Sequence, residues 1–99
     1  MESDQTRDFY YLSVAIPVAG GYTAVGKVFV AYDKQAALDM FNLLKGIPEG
    51  EAPGLKLDLI HSALTGTQRQ LASCCCSLAD ACENMKIVFK QTFKSINLE

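Results

Sequence analysis

Three consecutive cysteines, Cys74, Cys75 and Cys76, with Cys82 beyond them and the single histidine His61 upstream, are the side chains best suited to chemistry in this sequence. Thiolates and imidazole bind zinc and related metals, and a thiolate is also a redox nucleophile. Spacing limits both uses. On a helix, neighbouring residues point about 100° apart, so three adjacent thiols diverge and cannot close on one ion. Cys75 and Cys82 would then share a face about 10.5 Å apart, beyond the reach of a disulfide or a shared zinc. In a loop, Cys74, Cys76, Cys82 and His61 become the candidate metal ligands, although the Cys-x2-4-Cys spacing of structural zinc modules is missing. An exposed Cys74 or Cys76 could act as a redox thiol if Arg69 and a helix start near Thr67 lowered its pKa, but there is no Cys-x-x-Cys pair. The simpler expectation makes Cys75 and Cys82 small core residues.

Other catalytic patterns are weaker. A triad of His61, Asp58 and a cysteine can be drawn, yet a lone histidine is expected to be structural. Glu49 and Glu51 alternate with small residues, as in a solvated turn. Gly46, Gly50 and Gly54 lack the preceding strand and the following Lys-Ser/Thr of a phosphate loop. No catalytic residue, cofactor-binding residue or cofactor is therefore expected. Lys86, Lys90 and Lys94 recur every four residues and would form a positive helix stripe, able to meet nucleic acid or an acidic partner in a salt-sensitive way, or simply to stay solvated.

The elements that hold these residues follow from periodicity. Tyr10, Leu12, Val14, Ile16 and Val18 alternate as a strand with one buried face. Ala19-Gly20-Gly21 supplies a tight reversal, and Tyr22 to Tyr32 is rich in β-branched and aromatic residues, so the two runs predict an antiparallel hairpin. Gly26 inside the second run marks a bulge, a close approach by another element, or a tolerated glycine. Asp33 suits a helix N-cap, and Ala37, Met40, Phe41 and Leu44 predict a helix over Lys34 to Lys45, ended by Gly46 in a left-handed conformation. Residues 46–54, rich in glycine and proline, read as a loop.

Leu55, Leu57 and Leu59 alternate with Lys56 and Asp58. A third strand is favoured because a lone hairpin is marginal in water, although Leu57, Ile60 and Leu64 also fit a helical face. Thr67 and Gln70 have the form of a capping box. Beyond them Leu71, Cys75, Leu78, Cys82, Met85, Phe89, Thr92 and Ile96 are spaced alternately by four and three, a heptad seam. A continuous helix over it would be roughly 38 Å long. The expected fold class is α+β: an N-terminal antiparallel β-hairpin, a helix, a short third strand and a long C-terminal helix packed on the sheet, with residues 86–93 forming a fourth strand in the alternative.

The totals set the frame. Ninety-nine residues suffice for one core. A single α+β domain over residues 1–97 is expected, with residues 1–8 disordered and Leu98-Glu99 a tag remnant. The formal net charge of −2 supplies no global attraction to nucleic acid or an anionic membrane. The polar, mixed-charge start and the lack of a ~20-residue apolar run predict a cytoplasmic protein with no membrane partner, in which the four cysteines stay reduced. The leading functional expectation is a small non-enzymatic protein-interaction module, a homodimer or a binder of a protein partner. Its interface would be the C-terminal amphipathic residues Leu71, Cys75, Leu78, Cys82, Met85, Phe89 and Ile96. The alternatives are a cysteine-based metal-binding or redox protein, and a binder of nucleic acid or an acidic partner through Lys86, Lys90 and Lys94.

Overall fold

A computed structural model describes residues 7–47 and 54–95, residue 95 by its backbone only. The elements are β1 (Phe9–Val18), β2 (Gly21–Ala31), α1 (Lys34–Phe41), β3 (Leu55–Ser62), β4 (Gln68–Cys76) and α2 (Leu78–Ser95). The strands form one antiparallel sheet in the order β2-β1-β3-β4, and α2 packs on it: an α+β fold.

The hairpin forms as its alternation predicts. Gly20, with φ of 88°, takes the left-handed conformation that the reversal between Val18 and Gly21 requires. Val14 pairs with Gly26 and Ala15 with Ala24, so the extra residue Val25 is a bulge beside Gly26. Nothing outside its chain neighbours lies within 4 Å of the Cβ that Gly26 lacks, so a close approach by another element does not account for the glycine beside the bulge. Asp33 caps α1, its Oδ2 accepting from the Ala36 N–H at 2.8 Å.

Helix α1 is shorter than expected. It ends at Phe41, and its last turn tightens as Leu43 donates to the Met40 carbonyl and Leu44 to that of Phe41. Gly46 does not terminate it in a left-handed conformation. Its missing side chain instead allows close passage along β4, because a Cβ there would stand 2.8 Å from the Cys75 carbonyl oxygen. The adjacent Ile47 exchanges two backbone hydrogen bonds with Cys75, at 2.8 and 2.9 Å.

The larger correction concerns residues 67–96. A fourth strand exists, but it is Gln68–Cys76, and residues 86–93 are helical. Thr67 accepts from the Ala63 N–H in a β-turn connection and starts no helix. The helix start is Ser77, whose Oγ accepts from the Asp80 N–H at 3.1 Å. The 38 Å rod is thereby cut to α2, 18 residues or about 27 Å long. The physical reason is that β3 has a second edge of unpaired backbone groups, and β4 satisfies it along its whole length.

Alternation then divides the sheet. Tyr10, Leu12, Leu57, Leu59 and Cys76 join Val30, Met40, Ala81 and Val88 in the core beneath the helices. Asn84 is fully buried there and bonded to backbone: its Oδ1 accepts from the Lys45 N–H at 2.8 Å and its Nδ2 donates to the Lys45 carbonyl at 2.9 Å. This clamp ties the chain beyond α1 to α2.

Candidate functional site

The cysteines are split by the strand that carries them. Cys74 packs against the core and Cys76 belongs to it, while Cys75, between them, points to the opposite face. Burial pushes the Cys74 thiol up to about 11, helped by the neighbouring thiols of Cys76 and Cys75 and by the Asp58 carboxylate. Burial raises Cys76 as well, against a hydrogen bond from Asn84. Neither has the exposed, electropositive setting that activates a thiolate. Arg69 stands across from His61 on the β3–β4 ladder, several residues from both. Cys75 is 1% exposed, its Sγ 3.8 Å from the Tyr22 hydroxyl.

The remaining metal-ligand candidates also part company. His61 Nε2 lies 2.9 Å from Asp8 Oδ2, and its ring stacks on Tyr10 with centroids 4.8 Å apart. Asp8 also accepts from the Leu64 N–H at 2.7 Å. That bond first, and the one with His61 second, hold its carboxyl below the ordinary value. Asp58 is three residues from His61 on the same strand and faces the other way, so the Asp58–His61 triad does not assemble. Cys82 is exposed on α2. Among the described residues, no group of three or more His, Cys, Asp or Glu side chains converges as a metal site would require.

The sheet face away from the helices carries an aromatic and polar layer. Tyr11 is nearly buried: its hydroxyl donates to Gln68 Oε1 at 2.6 Å, and Lys27 sits 5.0 Å from its ring centre. Near the hairpin tip, Tyr22 reaches Cys75, and Lys56 Nζ approaches both the Tyr22 ring, at 5.5 Å, and Asp58 Oδ2, at 4.0 Å. Asp58 Oδ1 and Ser73 Oγ are buried without a hydrogen-bond partner. These two atoms belong to half-buried residues directly opposite each other on β3 and β4. On the helix side, a cleft of about 220 Å3 between α1, α2 and β2 is lined by Val30, Ala31, Ala36, Met40, Gln91 and Lys94. It is too small and too poor in converging polar groups to define a chemistry.

The seam residues do not share one face. Leu71 and Cys75 lie on β4, not on a helix. Met85 is half-buried against the core, and Ile96 lies outside the described residues. Leu78, Cys82 and Phe89 remain exposed on α2. Phe93, which the four-three count passes over in favour of Thr92, joins them. Thr92 turns inward, its hydroxyl donating to the Phe29 carbonyl at 3.0 Å. Leu78, Phe89 and Phe93 are 72%, 51% and 55% exposed. At 3.6 residues per turn, these three and Cys82 fall within an arc of about 60°. They form one apolar flank beside the buried face of α2. Lys86, Lys90 and Lys94 share the helix with Asp80 and Glu83, and Lys86 Nζ is 3.3 Å from Glu83 Oε2.

No protein-family model, curated protein or solved structure matches this chain. Among the described residues, no helix is long and apolar enough to cross a membrane.

Proposed function

We propose that the protein is a small, non-enzymatic interaction module that self-associates into a homodimer through the outer flank of α2. The observation that carries this reading is the exposure of Leu78, Cys82, Phe89 and Phe93 along one side of one helix. Apolar surface left in water forgoes roughly 25 cal/mol per Å2, and a contiguous stripe at this spacing is the shape that a second helix covers. A symmetric pair closes on itself and leaves no stripe over, which favours a dimer above an open chain of copies. The stripe is only about 22 Å long, so the interface is below the standard size and micromolar affinity is expected. Four free thiols suit a reducing compartment such as the cytoplasm.

Neither alternative has comparable support. The thiols of β4 diverge, and the three lysines of α2 share the helix with two acids in its first two turns, which leaves a net charge of only +1. Sedimentation from low to high micromolar concentration tests the reading. A reversible dimer is expected, together with a monomeric Leu78→Ser/Phe89→Ser/Phe93→Ser variant that keeps the wild-type circular dichroism. A wild-type monomer at high micromolar concentration removes the proposal.

A further inference from the structure

Resting on that reading, we infer that the surface covering the flank is the α2 of a second copy laid antiparallel, with Leu78 against the partner's Phe93 and Cys82 against the partner's Phe89. The charges of α2 are divided along its length. Asp80 and Glu83 precede Met85, and Lys86, Lys90 and Lys94 follow it. A parallel pair would gather the lysine-rich halves of both helices at one end of the interface and align the two helix dipoles. An antiparallel pair sets Glu83 of each copy near the partner's Lys90 and opposes the dipoles.

Side-chain size is divided in the same direction. The smaller Leu78 and Cys82 stand at one end of the flank and the rings of Phe89 and Phe93 at the other. Antiparallel packing places each ring over a smaller side chain, whereas parallel packing opposes ring to ring and leaves a void at Cys82. The contacts 78 with 93 and 82 with 89 share one midpoint, between Met85 and Lys86. A two-fold axis through that point generates both contacts twice.

This geometry predicts a specific cross-link. The two Cys82 residues of the dimer stand about 10 Å apart along the helix axis, outside disulfide range, and residues 82 and 89 of one helix are equally far apart. In Phe89→Cys the new thiol faces the partner's Cys82. Mild oxidation should convert this variant to a covalent dimer whose peptide map joins position 82 to position 89, while the oxidised wild type stays non-covalent. A wild-type dimer joined from Cys82 to Cys82, or a Phe89→Cys dimer without the 82-to-89 link, overturns the orientation and leaves self-association standing.

Because Phe89→Cys removes one ring, the unmodified protein supplies a second measure. Its dissociation constant should rise roughly three- to tenfold between about 50 and 500 mM salt as the Glu83–Lys90 attraction is screened. A constant that is unchanged or falls with salt overturns the antiparallel arrangement. A wild-type monomer at every concentration overturns both this inference and the reading beneath it.

Discussion

Helix α2 has two apolar faces, and the larger side chains are on the one left in water. Its inner face buries Ala81, Asn84 and Val88, while its outer flank exposes Leu78, Phe89 and Phe93. Hydrophobicity alone would have ranked them the other way. What decides burial is the gap available: α2 lies close to α1 and the sheet, and small side chains permit that approach. A polar residue is tolerated in the gap because Asn84 meets both backbone groups of Lys45. The inner face therefore serves the fold, and the outer flank is spare surface.

That contrast can be broken most directly by stability measurements on dilute protein. Asn84→Ala strands the Lys45 N–H and carbonyl and should cost about 2–3 kcal/mol, and Val88→Ala about 1–3 kcal/mol, in urea unfolding. Phe89→Ser should cost less than about 0.5 kcal/mol under the same conditions. If Phe89→Ser proves as damaging as Asn84→Ala, the flank is core and the distinction fails.

Thiol labelling sharpens it. In protein dilute enough to be monomeric, Cys82 on the exposed flank should be the fastest of the cysteines to react with a thiol reagent, and dimerisation should slow it. Cys75 and Cys76, reached only through opening of the fold, should react at least about a hundredfold more slowly. Replacing Tyr22 by Ser should speed Cys75 more than Cys76, since the Tyr22 hydroxyl lies 3.8 Å from the Cys75 sulfur. Equal rates at Cys75 and Cys82 would contradict the burial of β4.

The smallest effect lies far from α2, where Asp8 holds the start of β1 to the β3–β4 turn. Its folded pKa is lowered, so the contact is complete above the ordinary carboxylate pKa of about 3.9 and is lost as pH falls through the lowered folded value. The Leu64 amide resonance, followed by NMR, should move over that window. In Asp8→Asn the movement should disappear. A Leu64 shift that persists in Asp8→Asn would assign the titration to another group.

Much of the architecture is legible without coordinates, and one misreading shows where legibility stops. The hairpin follows from the alternation of Tyr10, Leu12, Val14, Ile16 and Val18 and from its glycine turn, α1 from Asp33 and its apolar stripe, and β3 from its alternating leucines. Residues 68–76 mislead because Ala, Ser, Cys and Gln have weak strand preference, and Leu71 and Cys75 fall by chance on the heptad of the helix that follows. The cap that matters, Ser77 with Asp80, lies ten residues beyond the one suggested by Thr67 and Gln70. Of the flank, Leu78, Cys82 and Phe89 can be read from spacing. Phe93 cannot, because only the inward hydrogen bond of Thr92 shows which of the two neighbours faces out.

Local order in the chain by itself determined the α+β class, the hairpin, the first helix and the amphipathic character of the C-terminal segment, since turn chemistry and periodicity act over a few residues. Tertiary structure decided that the cysteine triplet is a strand, that its thiols face apart, and that α2 keeps an uncovered flank. Those outcomes depend on which strand edge needed a partner and how closely two helices could approach, and both are set by residues distant in sequence.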